Sequence, residues 1–239
     1  MPTWEIYSYF YSLSLRNSFP YRRLLQDLSN ALNIKEGDCV LDAGCGPGLA
    51  IERIMKENKG KAINITGLDL SRRMIRHARK RCGYFPNVNL QVADLNKGVE
   101  SPDSYFDKVI CSNTLYALEN PRKVLLEFHR VLKPGGAVVI ANPKPNAGEK
   151  ELIKDHVTAI NRLTPIYRKI YHIVMSLSLI PVNLVVMMIN KLIIQKGKNG
   201  EYHFWGREEL HTTLHEAGFK NISISSCYAD QDWLARAET

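Results

Sequence analysis

An acidic residue and three glycines follow one another closely near the start of the chain. Asp42 precedes Gly44, Gly46 and Gly48, and the apolar run 39–41 comes directly before it. An apolar run that ends in glycines predicts a buried strand turning sharply into a helix. Because glycine has no Cβ, a ligand can approach the backbone of such a turn, and the next helix begins with N–H groups that lack helical partners. The spacing therefore predicts a nucleotide-binding loop.

Two kinds of nucleotide loop compete for this pattern. The dinucleotide fingerprint G-x-G-x-x-G needs its third glycine at position 49, where this chain has Leu49. The spacing here is Asp-x-Gly-x-Gly-x-Gly, which resembles motif I of the class I S-adenosylmethionine-dependent methyltransferases. A nicotinamide-dependent oxidoreductase is disfavoured for the same reason.

Two further acids stand at the ends of predicted strands. The apolar segment 63–68 ends at Asp69, and the alternating segment 88–92 is followed closely by Asp94. Ligands of open α/β sheets bind outside the carboxyl ends of the strands, so we expect both acids and Asp42 to surround one cleft. Asp69 has the spacing of a ribose-binding acid, because a carboxylate can accept from two neighbouring hydroxyls. A helix-capping role is its alternative.

The resemblance covers about residues 35–142. The segment 113–118, after a strand at 106–112, resembles motif IV of the small-molecule methyltransferases and lacks the Pro-Pro-Tyr type motif of DNA and glutamine methyltransferases. Leu-Lys-Pro-Gly-Gly at 132–136, which we expect to break the chain before a strand at 137–141, is another recurrent feature of the family. The core motifs are similar to those of the ubiquinone and menaquinone biosynthesis C-methyltransferases.

The resemblance implies an α/β fold with a defined domain organisation. We expect a Rossmann-like, seven-stranded, mostly parallel sheet flanked by helices, with an antiparallel last strand and a helical lid insertion. Residues 1–34 would form an N-terminal helical cap. Residues 35–141 and 207–239 would form the S-adenosylmethionine-binding core, and residues 142–206 the lid or acceptor-binding insertion.

The resemblance also implies S-adenosyl-L-methionine as the cofactor, S-adenosyl-L-homocysteine as its product, and a set of contact residues. In the family, the residue matching Asp94 accepts from the adenine amino group, and the next N–H, here that of Leu95, meets the ring. In the family an N-terminal segment often folds over the cofactor, and the ring faces of Tyr7 and Tyr11 could then meet the cationic sulfonium. Packing of these aromatic residues on the sheet is the alternative. The full cofactor set is Asp42, Gly44, Cys45, Gly46, Pro47, Gly48, Asp69, Leu70, Met74, Asp94, Leu95, Ser112, Asn113 and Tyr11.

The implied reaction is in-line attack by an acceptor N, O, S or C atom on the sulfonium methyl. The sulfonium is already reactive, so the protein mainly orients the partners and excludes water. A base is needed only when the pKa of the acceptor demands one. Tyr116, His156, Tyr202 and His203 are the catalytic candidates near the expected mouth. Packing or hydrogen bonding is the alternative role for each, and the catalytic residue stays open.

The predicted insertion contains a long uncharged stretch. Residues 170–190 include no Asp, Glu, Lys or Arg, and Pro181 predicts a break into helices at 171–179 and 182–194. Segment 142–206 holds nine Lys or Arg and four Asp or Glu, so it carries five of the eight net positive charges. Three interpretations stay open: a lid over a bulky apolar acceptor, a lid that also touches an anionic membrane, and a transmembrane span.

Composition and charge leave three functions to compare. The first is methylation of an apolar or lipid-like small molecule. The second is methylation of RNA, such as tRNA, suggested by the basic helix 72–81, although nucleic acid is the less favoured partner. The third is a non-catalytic S-adenosylmethionine-binding protein.

Five scattered cysteines without a C-x-x-C pair predict reduced thiols and no metal site. Reduced thiols in turn predict a cytoplasmic protein, or one peripheral on the inner face of a membrane. The oligomeric state is not predicted.

Overall fold

A computed structural model describes residue 10 and residues 13–15 and 17–239 of the chain. It is an α/β fold in which helices cover both faces of one sheet. Counted from the helix that begins at Phe19, the elements are α1 (Phe19–Leu32), β1 (Cys39–Ala43), α2 (Leu49–Glu57), β2 (Asn64–Asp69), α3 (Arg72–Cys82), β3 (Val88–Val92), β4 (Phe106–Ser112), α4 (Pro121–Val131), β5 (Leu132–Pro143), α5 (Glu149–Asn161), α6 (Ile166–Ser178), α7 (Ile180–Lys198), α8 (Arg207–Glu216), β6 (Lys220–Cys227) and β7 (Asp232–Glu238).

The sheet has seven strands in the order β3-β2-β1-β4-β5-β7-β6. Strand β7 is antiparallel to both of its neighbours, and the other pairs are parallel. The predicted fold class, including the antiparallel last strand, is thereby confirmed. Because β7 runs the other way, its first residue, Asp232, pairs with Pro143, the last residue of β5. Asp232 therefore lies at the same end of the sheet as the carboxyl ends of the parallel strands.

Two apolar cores, one on each side of the sheet, hold the helices in place. Leu24, Leu28 and Ile51 belong to the core that packs α1, α2 and α3 against the sheet. Phe128 and Leu210 belong to the opposite core, which packs α4 and α8. Burying a side chain of this size stabilises the fold by about 1.5–3 kcal/mol. The two cores therefore hold in place the end of the sheet at which the acidic residues lie.

The predicted start of β5 is wrong. Strand β5 begins at Leu132, so the Lys-Pro-Gly-Gly segment lies inside the strand instead of separating it from α4. Leu132 pairs with Phe106, after which the register shifts, and Gly135 has a φ of 75°. The turn-forming residues thus produce an irregularity at the start of the strand, because the chain resumes pairing with β4 immediately after them.

Three helices, α5, α6 and α7, lie between β5 and α8, within the predicted insertion. The break falls at Leu179, and Pro181 lies in the first turn of α7, where its missing N–H has no cost. Helix α6 begins earlier and α7 ends later than predicted. By length and composition alone, α7 is the one described helix that could cross a membrane, and 6% of its apolar window is buried.

Part of the predicted N-terminal cap lies outside the described residues. Tyr7 and Tyr11, expected at the cofactor, are among them. Ser14 is described, and its hydroxyl donates a 2.7 Å hydrogen bond to Oδ1 of Asn183 in α7. The segment before α1 thus contacts the insertion helices.

Candidate functional site

A cavity of about 520 Å³ lies at the carboxyl ends of β1, β2, β3 and β4. Asp42, Asp69 and Asp94 all line it, as expected from their positions at successive strand ends. Of the other residues predicted at the cofactor, nine line the same cavity: Gly44, Cys45, Gly46, Pro47, Leu70, Met74, Leu95, Ser112 and Asn113. Gly48 does not line it, and Tyr11 lies outside the described residues.

The glycine loop is held by hydrogen bonds from its own backbone. The N–H groups of Gly44 and Cys45 both donate to the carbonyl of Leu68, over 2.8 and 2.9 Å. The N–H of Gly46 donates to Oδ2 of Asp69 over 2.9 Å. A loop that cradles phosphates keeps these N–H groups free for the ligand. Here they are used within the fold, which argues against a pyrophosphate site.

Gly44 lies against the end of β4. It has a φ of 81°, and a Cβ at this position would come within 2.1 Å of Oγ1 of Thr114. The Thr114 hydroxyl lies 3.3 Å from the carbonyl oxygen of Gly44. Only glycine satisfies both the backbone conformation and this close approach. The contact joins the loop after β1 to the loop after β4, which form two walls of the cavity.

Asp69 is tied to the backbone through both carboxylate oxygens. Oδ1 accepts from the N–H of Ser71 over 2.8 Å, and Oδ2 accepts from Gly46. The N-cap of α3 is Ser71, whose hydroxyl oxygen accepts from the N–H of Met74. Each oxygen of Asp69 keeps a second lone pair for a ligand hydroxyl. The side chain is therefore preoriented at the cavity wall.

The cavity is acidic. Asp42 is 2% exposed, and burial, reinforced by the charge of Asp69, raises its pKa to about 7. Its Oδ2 is buried and has no hydrogen-bond partner among the described residues. Burial also raises the pKa of Asp69, against the two N–H groups that stabilise its charged form. None of the described residues lining the cavity is Lys or Arg.

These features fit a nucleoside that carries positive charge. The volume lies within the ~300–1,000 Å³ typical of small-molecule sites. A cation would compensate the unpaired oxygen of Asp42, whereas a polyphosphate would meet carboxylates without a positive partner. S-adenosylmethionine has a sulfonium, an ammonium and a ribose, so its groups match this set of acceptors. No group of three or more His, Cys, Asp or Glu arranged to hold a metal ion occurs in the described part of the chain.

A second chamber of about 130 Å³ adjoins the first and shares Asn113 and Tyr116 with it. Strand β7 contributes Asp232, and α7 contributes Asn190 and Ile193. The side-chain amide of Asn113 donates to Oδ2 of Asp232 over 3.0 Å. Asn113 has a φ of 51°, a left-handed conformation that asparagine adopts more readily than most residues.

Three of the four catalytic candidates lie together at this junction. Tyr116 lines both chambers. The ring of Tyr202 packs edge-on against the Tyr116 ring at 5.6 Å, and the backbone N–H of His203 donates to the Tyr116 carbonyl over 2.8 Å. Tyr202 and His203 are not lining residues of either chamber. Their contacts position Tyr116.

His156, the fourth candidate, lines neither of the two cavities. Its Nδ1 accepts from the backbone N–H of Phe19 over 3.3 Å, and its Nε2 lies 3.0 Å from the hydroxyl of Ser176. Burial lowers the pKa of His156, which favours the neutral ring. Nδ1 is the acceptor, so Nε2 carries the proton and is not free to act as a base. His156 links α1, α5 and α6.

The sequence prediction missed part of both linings. In the first cavity it missed Tyr21, Ala50, Ser71, Ala93, Asn96, Thr114, Ala117 and Leu118. In the second chamber it missed Asp232, although a signal was present. An antiparallel strand begins where parallel strands end, so the first residue of the predicted last strand belongs at the ligand-binding edge.

Comparisons with known proteins place these features in a family. The sequence profile of the family described as "Methyltransferase domain" matches residues 34–218. The chain is 33% identical over 109 residues to a demethylmenaquinone methyltransferase of Tropheryma whipplei, covering 46% of this chain and 43% of that protein. It is 34% identical over 118 residues to phosphoethanolamine N-methyltransferase 3 of Arabidopsis thaliana, covering 49% of this chain and 23% of that protein. The chain thus spans less than half the length of either relative.

A solved structure extends the similarity over nearly the whole fold. The protein is described as a SAM-dependent methyltransferase from Aquifex aeolicus, and it superposes with a TM-score of 0.64 at 17% identity. The match covers 96% of this chain and 97% of that one. At this identity the likeness concerns the fold alone.

Proposed function

Because this chain belongs to the methyltransferase-domain family and has the class I fold, we propose that the protein transfers a methyl group from S-adenosylmethionine to an apolar small-molecule acceptor, at an anionic membrane surface. The observation that carries the acceptor class is the position of α7. One side of this helix borders the second chamber, and its other side exposes large apolar residues.

The cofactor assignment is supported by the first cavity and by the relatives. Asp42 and Asp69 offer carboxylates to a cationic nucleoside, and the internally bonded glycine loop offers no phosphate cradle. Demethylmenaquinone and phosphoethanolamine methyltransferases are both small-molecule enzymes by name. We propose that Asp69 binds the ribose and that Asp94 and Leu95 bind the adenine.

An apolar acceptor is supported by the walls of the second chamber. Ile193, Ile194 and Phe204 line it, together with Leu152 of α5. Because apolar walls stabilise apolar ligands by removing their surface from water, a ring or chain is better suited to this chamber than a charged head group. Its polar side chains, which include Asn190, Gln231 and Asp232, would orient the acceptor atom toward the shared wall at Asn113.

Membrane contact is supported by the outer surface of α6 and α7. Tyr167, Leu177 and Met188 are exposed by 68%, 60% and 68%. Arg168 and Lys191 are exposed on the same two helices. Apolar side chains flanked by cations are typical of helices that lie in an anionic lipid interface. The five described cysteines are free thiols, which supports the cytoplasmic face of that membrane.

The RNA alternative has weaker support. Two of the arginines in the basic helix α3 are used within the fold. Arg79 donates to the carbonyl of Leu90, and Arg81 donates to the carbonyl of Pro47 and pairs with Glu52. Arg72, Arg76 and Lys80 remain exposed.

Incubation with methyl-labelled S-adenosylmethionine tests the proposal. The purified protein is mixed in parallel with a membrane lipid extract and with total RNA, and the labelled products are identified by mass spectrometry. We expect label in a solvent-extractable apolar compound. Label in RNA alone would show that the acceptor is RNA and not an apolar small molecule. Binding of S-adenosylhomocysteine without label in either fraction would favour the non-catalytic alternative.

A further inference from the structure

We propose that the second chamber holds the methyl acceptor as a single hydroxylated ring and that Asp232 accepts the proton of that hydroxyl during transfer. This inference rests on the proposed methyltransferase function and deepens it. It names a substrate class, a phenol-like acceptor, and a catalytic residue.

The second chamber has about the volume of a single aromatic ring. A cavity of ~150 Å³ holds a benzene-sized ring, and this chamber measures about 130 Å³. The chamber shares Asn113 and Tyr116 with the cofactor cavity, so a ring seated in it lies next to that cavity. Any remaining part of an apolar acceptor would extend between Leu152 of α5 and Ile193 of α7.

Asp232 has the environment of a base. It is 2% exposed and borders the chamber, and Asn113 donates to its Oδ2. A carboxylate can accept about four hydrogen bonds, so Oδ1 can receive an acceptor hydroxyl while Asn113 holds the other oxygen. The rigid position of Asn113, whose own N–H donates to the carbonyl of Ala141 over 2.8 Å, fixes the direction of the carboxylate.

Lys144 is the one Lys or Arg among the described residues that line the chamber, and it does not form an ion pair with Asp232. Nζ of Lys144 pairs with Asp230, lies 2.8 Å from the hydroxyl of Ser226 and sits 4.0 Å from the centre of the Trp233 ring. Burial raises the pKa of Asp232 to about 7, against the hydrogen bond from Asn113 and the charge of Lys144. A base whose pKa lies near the working pH is the most effective, because it is partly ionised and still holds a proton well.

Other titratable groups border the same chamber. Tyr116, Glu149 and Tyr228 line it, and Cys227 pairs with Asp232 across β6 and β7. Glu149 is half-exposed at the start of α5, and its Oε1 accepts from the amide of Asn190 over 3.4 Å. Asp232 is the more deeply buried carboxylate of the two, which favours it as the base.

During the transfer two bonds form and two bonds break. The acceptor oxygen uses a lone pair to form a bond to the methyl carbon. The carbon–sulfur bond breaks, and its electron pair stays on sulfur, which becomes a neutral thioether. The oxygen–hydrogen bond breaks, its electron pair stays on oxygen, and the proton passes to Oδ1 of Asp232.

A binding experiment tests the contact without turnover. Phenol stays neutral at pH 5–9, because a phenolic pKa is ~10. Calorimetric titration of phenol into the protein saturated with S-adenosylhomocysteine should show tighter binding as the pH rises through about 7. This dependence should be absent for anisole, which has no hydroxyl, and for Asp232→Asn. Glu238→Gln, at the opposite end of the same strand, is the matched control and should behave as wild type.

Turnover of substituted phenols supplies the second readout. We expect Asp232→Asn to lower kcat on phenol ~10²–10⁴-fold, and to raise KM above pH 7 because the carboxylate that accepts from the hydroxyl is lost. The loss should be much smaller on 4-nitrophenol, which is largely ionised in solution above neutral pH and needs no base. The affinity for S-adenosylhomocysteine should stay within about twofold of wild type, since the side chain lies outside the first cavity.

Four outcomes would overturn the inference. Equal losses of kcat on phenol and on 4-nitrophenol would exclude the role of Asp232 as a base. The same role would be excluded if the phenol affinity of Asp232→Asn still depended on pH. Parallel loss of S-adenosylhomocysteine binding and thermal stability would assign Asp232 a structural role. Failure of the wild type to bind phenol while it methylates a lipid component would exclude the ring class and leave the methyltransferase function intact.

Discussion

The backbone N–H of Gly46 donates a 2.9 Å hydrogen bond to Oδ2 of Asp69, so the end of β2 holds the glycine loop that follows β1. The other oxygen of Asp69 accepts from Ser71 at the start of α3. A carboxylate is suited to this position because two N–H groups point at it from different segments. The shape of the cofactor cavity therefore depends on this side chain as well as on the glycines.

Replacing this carboxylate by an amide is expected to weaken cofactor binding. In Asp69→Asn, the amide NH₂ must face one of the two N–H donors, leaving that donor without an acceptor. The ribose hydroxyl that we propose to bind this carboxylate also loses a charged acceptor, and a hydrogen bond to a charged group contributes ~1.5–3 kcal/mol. We expect S-adenosylhomocysteine to bind roughly 10- to 100-fold more weakly by isothermal titration. Asp103→Asn removes an exposed carboxylate that pairs with Arg130 and is the control. An unchanged dissociation constant in Asp69→Asn would contradict this role.

The first two glycines of the loop are expected to differ in their tolerance of alanine. Both have positive φ, which costs alanine ~1–2 kcal/mol. In Gly44→Ala the Cβ also collides with Thr114, whereas the Cβ of Gly46→Ala meets no atom within 4 Å. We expect Gly44→Ala to lose about 2–4 kcal/mol of unfolding free energy in urea titrations, and Gly46→Ala about half as much. Equal losses would mean that Thr114 moves aside freely.

Asp42 is expected to make recognition of the charged cofactor depend on pH. Below its pKa of about 7 the carboxyl is neutral, and above it the carboxylate attracts a cation. Asp69 is the charged group facing it, and the thiols of Cys45 and Cys111 beside it stay protonated because burial raises their pKa. The affinity for S-adenosylmethionine relative to S-adenosylhomocysteine, which lacks the sulfonium charge, should therefore rise as the pH passes about 7. In Asp42→Asn this ratio should be independent of pH.

The same carboxyl is expected to destabilise the fold at neutral pH. Its pKa is raised in the folded state, so folding favours the protonated form, and stability declines as the pH rises from the unfolded-state pKa to about 7. We expect Asp42→Asn to have a higher Tm than wild type at pH 7, by roughly 2–4 °C for each kcal/mol regained. At pH 4 the two proteins should melt nearly together. A lower Tm for the variant at pH 7 would contradict the sign.

The exposed surface of α6 and α7 is expected to retain the protein on anionic vesicles. In flotation experiments, wild type should rise with vesicles of phosphatidylglycerol mixed with phosphatidylcholine, and much less with phosphatidylcholine alone. Leu177→Gln combined with Met188→Gln removes two exposed apolar side chains and should weaken retention. Leu126→Gln replaces a leucine of α4 that is 54% exposed and should not. Equal retention of all three proteins would exclude this surface as the contact.

The sequence allowed the core of the fold and most of the cofactor cavity to be predicted, because both follow from local patterns. Strand ends such as Asp69 and Asp94 can be located from alternation and turn residues, and a parallel sheet then brings them to one edge. The start of β5 could not be located in this way. The Lys-Pro-Gly-Gly segment is a strong turn signal, but pairing of Leu132 with Phe106 overrides it.

Contacts between distant segments were harder to predict. The orientation of His156 depends on where α5 meets α1, and the proximity of Thr114 to Gly44 depends on a loop conformation that no periodicity encodes. Asp232 is separated from Asn113 by more than a hundred residues. Its position at the ligand-binding end of the sheet can be predicted only when the antiparallel direction of the last strand is taken into account.

Strand β7 follows β6 in the chain yet lies between β5 and β6 in the sheet. During synthesis, β5 therefore presents an unpaired edge until the residues up to Glu238 have left the ribosome, and β6 has no strand to pair with until the same moment. Closure of the sheet consequently has to wait for its last strand in chain order. A nascent or truncated protein that stops short of β7 would expose this edge to chaperones or to aggregation.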